Sequence, residues 1–155
     1  MGLLDQIKSS DGVFHGLRPK WTPYIPHDPT PKQLAYLMLP HREAFYGGAA
    51  GGGKSDALLM GALQYVDVPG YAAMIFRKTL SDLKQPGALL DRAHSWLVNT
   101  PAKWNAGEHT YYFPTYDRYG NPAEPSKMTF GYIGQTDAYT RYQGIELQYC
   151  AFDEL

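Results

Sequence analysis

The stretch that most constrains the fold is the glycine-rich segment 46–58, YGGAAGGGKSDAL. Residues 48–55 fit the pattern G-x-x-x-x-G-K-[ST], in which a glycine is followed at once by a lysine and a hydroxyl residue. Phosphate needs main-chain N–H groups that turn inward at close range, and a helix that begins behind the loop adds free donors and a positive dipole. The pattern therefore predicts a phosphate-binding loop between a buried strand and a helix.

The residues of this loop have distinct expected parts. Lys54 is expected to reach the β and γ phosphates of ATP, and Ser55 to ligate the Mg²⁺ that bridges them. The alternative is a flexible linker, but linkers seldom lie between a buried strand and a helix with an apolar face. The expected nucleotide-binding residues of the loop are Gly48, Ala49, Ala50, Gly51, Gly52, Gly53, Lys54, Ser55 and Asp56.

The segments around the loop show alternating strand and helix patterns. A turn-rich segment between two strand-like runs predicts a hairpin at 109–134. Strands that alternate with helices are typical of an α/β fold with a mostly parallel sheet and flanking helices. Strands are predicted at 43–47, 71–76 and 147–152, and helices at 32–39, 54–66 and, with a break near Pro86 and Gly87, 80–98.

Composition indicates one globular domain and leaves its partner open. The chain has 155 residues, of which 44% are hydrophobic, which is too apolar for a disordered chain. Its formal net charge of -1 gives no global field that would gather nucleic acid, although a local basic patch stays compatible with it. Cys150 is the single cysteine and lies in an apolar run, so it is expected to be a small core residue.

Two regions differ from the rest of the chain. Residues 1–28 are expected to form an extended arm with a short helix at 2–9, because prolines recur there, and 29–155 to form the domain. The chain stops directly after a strand pattern, so the domain is expected to be incomplete at its C-terminus. No early stretch resembles a secretion leader and no window approaches about 18 apolar residues, so a cytoplasmic protein without a membrane partner is expected.

Two adjacent acids, Asp153 and Glu154, follow the last predicted strand. An aspartate at the end of a buried strand can hold Mg²⁺ through water, and a following glutamate can polarise the water that attacks the γ-phosphate. Acidic pairs are also common as helix caps or solvated surface residues. Together with the upstream loop, however, the pair predicts hydrolysis of the nucleotide and not only its binding.

These residues resemble the N-terminal ATPase domain of the large terminase subunit of tailed bacteriophages, the motor that pumps DNA into a procapsid. The resemblance covers roughly 29–155 and depends on the order of four stretches: TPKQ (30–33), FYGGAAGGGKSDALL (45–59), AAMIFRKTLSDL (72–83) and RYQGIELQYCAFDEL (141–155). It implies a P-loop NTPase fold of the RecA-like, additional-strand type, with a phosphate loop (Walker A) and an acidic strand end (Walker B).

The resemblance also implies roles for individual residues. Gln33 matches a glutamine that hydrogen-bonds adenine, with a surface glutamine as the alternative. Asp153 matches the metal-binding acid, and Glu154 the catalytic one, beside Lys54. Arg77, at the basic end of the second strand, is expected to meet phosphate or DNA, or else to be a solvated strand terminus. Arg141 is a weaker candidate for a contact with DNA or a neighbouring subunit.

The implied activity is Mg²⁺-dependent ATP hydrolysis that translocates double-stranded DNA. The implied partners are this DNA, the portal protein, the small terminase subunit and further copies in a ring, at the procapsid portal vertex in the infected bacterial cytoplasm. Unlike many terminases, the loop GGAAGGG has no arginine, so an arginine finger must come from elsewhere. DNA cleavage by these residues alone is not expected. The alternatives are a nucleotide-binding assembly or regulatory module with little hydrolysis, and a helicase-like motor.

Overall fold

The computed structural model describes residues 19–48, 51, 53–134 and 138–154, without the side chains of 138 and 139. The helix predicted at 2–9 and most of the predicted arm lie outside the described residues. So do the loop residues Ala49, Ala50 and Gly52.

Within the described residues, five strands form one sheet in the order β2-β3-β4-β1-β5. Strand β1 lies between β4 and β5 and runs parallel to both, whereas β3 pairs antiparallel with β2 and with β4. The sheet is therefore mixed, and the prediction of a mostly parallel sheet was wrong for its outer half. The strands are Ala72–Arg77 (β1), Lys103–Asn105 (β2), Thr110–Phe113 (β3), Ser126–Tyr132 (β4) and Tyr149–Phe152 (β5).

Helices flank this sheet, and the α/β class is confirmed. The predicted break near Pro86 and Gly87 is confirmed, because it separates two helices, and the predicted hairpin is confirmed as the pair β3–β4. The polar segment before β5 contains a short helix that the pattern did not reveal. The helices are Pro31–Leu37 (α1), Lys54–Leu63 (α2), Leu80–Lys84 (α3), Leu89–Leu97 (α4) and Ala138–Tyr142 (α5).

The core lies on both sides of β1, whose six residues are all buried. Helix α2 packs close to β5 because it carries Gly61, where an added Cβ would lie 2.7 Å from the Tyr149 hydroxyl. That hydroxyl donates to the Leu58 carbonyl at 3.1 Å. This close packing places the start of α2 beside the end of β5, which is where the candidate site lies.

The strand predicted at 43–47 is not formed. Phe45 is 99% exposed, and the segment lies across a cleft from β5 without pairing with it. A strand needs a neighbouring strand that hydrogen-bonds with its N–H and C=O groups. An apolar run in the sequence does not show whether such a neighbour is present. Cys150 is exposed on the β5 side of this cleft, so its prediction as a core residue was also wrong.

An aromatic cluster closes the far end of the sheet around His94 of α4. The imidazole hydrogen-bonds the Tyr111 hydroxyl, and its ring packs edge-on against Trp104 with the ring centroids 4.8 Å apart. Burial lowers the pKa of His94 below its ordinary value of 6.5, and the nearby Asp91 carboxylate opposes only part of this shift. The folded protein therefore favours the neutral imidazole.

We expect the free energy of unfolding to fall as the pH drops below 6.5. The unfolded chain binds a proton at the ordinary pKa of 6.5, whereas folded His94 binds it only at lower pH, so the unfolded state gains stability in that window. Urea unfolding at a series of pH values should show a smaller decline for His94→Gln than for wild type. The exposed His41→Gln is the control, and an unchanged decline in His94→Gln would contradict the assignment.

Candidate functional site

The start of α2 meets the carboxyl ends of β1 and β5 at one edge of the sheet. Arg77 ends β1, and Asp153 follows β5; the two strands are parallel neighbours, so these residues lie side by side. The Ser55 hydroxyl donates to Asp153 Oδ2 at 3.3 Å, although 98 positions separate the two residues. The fold therefore brings the helix start behind the glycine-rich loop next to the acid pair.

The described part of the loop curls around the start of α2. Gly51 and Gly53 have φ values of +78° and +70°, a region that side chains with a Cβ rarely adopt. Lys54 Nζ donates to the Gly48 carbonyl at 2.8 Å, and Lys32 Nζ donates to the Gly47 carbonyl. The first N–H groups of α2 have no acceptor within the helix, so this turn concentrates donors and positive charge.

Gln33 holds this turn from the side. It is 2% exposed, its Nε2 donates to the Gly53 carbonyl at 2.9 Å, and its Oε1 accepts from the Thr30 N–H at 2.8 Å. The alternative that Gln33 is a surface residue is wrong. The hydrogen bond from Gln33 to adenine stays a prediction.

The two acids differ in their surroundings. Asp153 is 4% exposed, and its Oδ2 accepts from Ser55 and from Arg77 Nε, the latter at 3.0 Å. The Glu154 side chain is 66% exposed and lies 3.2 Å from Arg77 Nη2. Its φ of 51° lies in the left-handed region, which is rare for a residue other than glycine. Asp153 is thus fixed inside the site, and Glu154 lies at its opening.

Arg77 makes contacts that the sequence analysis did not predict, and its contact with phosphate or DNA stays a prediction. Its side chain is 10% exposed, so the alternative of a solvated strand terminus is wrong. Its guanidinium contacts both acids, and Nη1 donates to the Asp82 carbonyl at 3.0 Å. The only signal for this arrangement in the sequence was opposite charge at the ends of two strands, which becomes informative once they are known to be neighbours.

A cleft of about 720 Å³ opens beside these residues, a size that suits a small-molecule ligand. It is lined by the loop residues Gly47, Gly48 and Lys54 on one side and by Asp153 and Glu154 on the other. The hydroxyl of Ser55 and the carboxylate of Asp153 are hard oxygen donors, and a cation such as Mg²⁺ prefers donors of this kind. The residues therefore fit a magnesium–nucleotide complex.

Two further predicted residues lie away from the cleft lining. The Asp56 carboxylate is paired with Arg92 of α4 at 2.6 Å. The guanidinium of Arg141 lies over the Tyr132 ring, 4.6 Å from its centroid. Neither side chain joins the group formed by Ser55, Arg77 and Asp153.

No protein-family model matches this sequence, and no curated protein or solved structure is significantly similar to it. The resemblance to the terminase ATPase domain therefore depends on the four stretches described above. A search of the described residues finds no helix with the length and apolar character needed to cross a membrane.

Proposed function

We propose that this chain is part of a Mg²⁺-dependent ATPase with the P-loop, RecA-like arrangement. The observation that carries this proposal is the 3.3 Å contact between the Ser55 hydroxyl and Asp153 Oδ2. It joins a residue of the predicted phosphate loop to a buried acid at a strand end, with the exposed Glu154 next to it. A linker or a solvated acidic pair would not need this juxtaposition.

The chain's own groups would bind and orient the nucleotide. The main-chain N–H groups at the start of α2 would donate to phosphate oxygens, and Lys54 would exchange its contact with the Gly48 carbonyl for the β and γ phosphates. Ser55 and Asp153 would hold the metal. When bound, Mg²⁺ neutralises the charge on the phosphate oxygens.

Glu154 would supply the base. Its exposed carboxylate would take a proton from the water whose oxygen bonds to the γ phosphorus, while the bond from that phosphorus to the bridging oxygen of ADP breaks. The products are ADP and inorganic phosphate. Most of the rate would come from positioning and charge stabilisation, since little covalent chemistry falls to the protein.

We propose that this hydrolysis drives the packaging of double-stranded DNA, as in the large terminase subunit that the sequence resembles. The partners would then be DNA, the portal protein, the small terminase subunit and other copies of the chain in a ring on the procapsid of an infected bacterium. The loop sequence GGAAGGG has no arginine, so a neighbouring copy is the proposed source of an arginine finger.

The test is nucleotide binding and turnover with Lys54→Ala. We expect Mg·ATP to bind to this variant about 10- to 100-fold more weakly than to wild type, because a charged hydrogen bond to phosphate is lost. Calorimetric titration and phosphate release measure the two steps. Lys103→Ala, an exposed lysine on β2, is the matched control and should behave as wild type.

Equal binding by Lys54→Ala and wild type would contradict the phosphate loop. Binding without phosphate release in wild type would instead support the nucleotide-binding module. Stimulation of phosphate release by double-stranded DNA would support the motor role.

A further inference from the structure

Arg77 links the acid pair to an element that the proposed chemistry does not use. On one side, its Nε and Nη2 each lie 3.0 Å from Asp153 Oδ2, and Nη2 lies 3.2 Å from Glu154 Oε2. On the other side, its Nη1 donates to the main-chain carbonyl of Asp82 in α3. A planar guanidinium has donors in fixed directions and can hold both sides at once.

The Asp82 carbonyl is an acceptor that α3 itself leaves unpaired. Helix α3 has five residues, and the last four carbonyls of a helix have no N–H partner within it. The Asp82 side chain is held separately by Thr79, whose hydroxyl donates to Asp82 Oδ2 at 2.6 Å and accepts from the Asp82 N–H at 3.1 Å. The guanidinium of Arg77 and the hydroxyl of Thr79 thus stabilise α3 through different atoms.

Binding of a metal–nucleotide complex would change the electrostatic environment of the Arg77 guanidinium. The guanidinium forms an ion pair with the buried Asp153 carboxylate. A bound Mg²⁺ would share this carboxylate, and Ser55 would exchange its hydrogen bond with Asp153 for the metal. The balance of contacts around Arg77 therefore differs between the empty and the filled site.

We propose that Arg77 is a positioning residue that couples occupancy of the nucleotide site to the stability of α3. The inference rests on the proposed function. With the site filled, Asp153 and Glu154 are held in place, the guanidinium is held with them, and its bond to Asp82 secures α3. With the site empty, the guanidinium and α3 open more readily.

The experiment compares amide hydrogen exchange in α3 with and without saturating Mg·ADP. In wild type, Mg·ADP should slow exchange in α3 by at least about fivefold. In Arg77→Lys the ratio should fall below about twofold, because a lysine is a point charge that cannot contact the acids and Asp82 together. Calorimetry on the same samples gives the Mg·ADP affinity of each protein, so that every exchange measurement is made at a saturating concentration.

Thr79→Ala is the matched control. It removes the other support of Asp82 and leaves Arg77 and the acids intact, so exchange in α3 should rise equally with and without Mg·ADP, and the ratio should stay as in wild type. If Arg77 were merely structural, Arg77→Lys would behave in the same way. A wild-type ratio in Arg77→Lys therefore overturns the inference.

Wild-type protein alone supplies a second test, which does not depend on the folding of any variant. If wild type binds Mg·ADP and α3 exchange does not change, the coupling is absent and the proposed ATPase still stands. If wild type does not bind Mg·ADP, the proposed function fails, and the inference fails with it.

Discussion

Glu154→Gln should lower the rate of ATP hydrolysis by about 100- to 10,000-fold, the usual contribution of a general base. The amide has nearly the shape of the carboxylate but cannot accept the proton of the attacking water. Its binding of Mg·ATP should stay close to that of wild type, because the metal and phosphates are assigned to Asp153, Ser55 and Lys54. Single-turnover phosphate release and calorimetric binding measure these quantities separately.

The same variant should fold as well as wild type. The Glu154 side chain is 66% exposed, and an ion pair as open as its contact with Arg77 contributes little to stability. Glu146→Gln makes the same chemical change at an exposed acid before β5 and should leave the rate unchanged. An undiminished rate in Glu154→Gln would remove this residue from the mechanism.

Asp153→Asn should lower the free energy of unfolding by about 3–5 kcal/mol, the usual cost of leaving a buried charge without its partner. Arg77 would keep only the exposed Glu154 as a charged partner, because its buried carboxylate partner is replaced by a neutral amide. Metal-dependent hydrolysis should be lost in the same variant, because the amide is a poor substitute for a carboxylate toward Mg²⁺. Urea unfolding measures the stability change directly.

Two comparisons separate this effect from a general effect of mutation. The exposed pair Lys20 and Asp67 has side chains 32% and 51% exposed, so Asp67→Asn should cost less than about 1 kcal/mol. The double variant Arg77→Met with Asp153→Leu should regain most of the lost stability, because apolar groups of similar volume need no charge compensation. A double variant as unstable as Asp153→Asn would show that packing, and not charge, sets the cost.

Patterns that depend on neighbours in sequence predicted their elements well. The helix predicted at 32–39 is observed as α1, and the structure adds the reciprocal hydrogen bonds between Thr30 and Gln33 that cap its start. The apolar run before Arg77 predicted β1, and the glycines before Lys54 predicted the start of α2. The cap of α1 and the glycine conformations before α2 are set within a few residues, so the local sequence carries their signal. The continuous apolar run of β1 is as local, although its hydrogen bonds go to the distant strands β4 and β5.

Patterns whose result depends on distant partners were less informative. The segment 43–47 has the apolar residues of a strand, yet it pairs with no strand among the described residues. Strand β2 was missed, because its three residues become a strand only by pairing with β3. The antiparallel half of the sheet likewise depends on which strands pair and in which direction. The residue types of a single strand do not encode this directly.

For the candidate site, the sequence alone identified the glycine-rich loop, Lys54, Ser55 and the two acids as candidates. Each belongs to a short motif whose residue types suit phosphate or metal binding. Folding alone decided that Arg77 lies between the acids and Asp82, that Gln33 holds Gly53, and that Asp56 pairs with Arg92. These contacts join residues that are far apart along the chain, or depend on which strands are neighbours. The direction in which a charged side chain points is set by the partner that compensates its charge, and that partner is known only once the sheet is assembled.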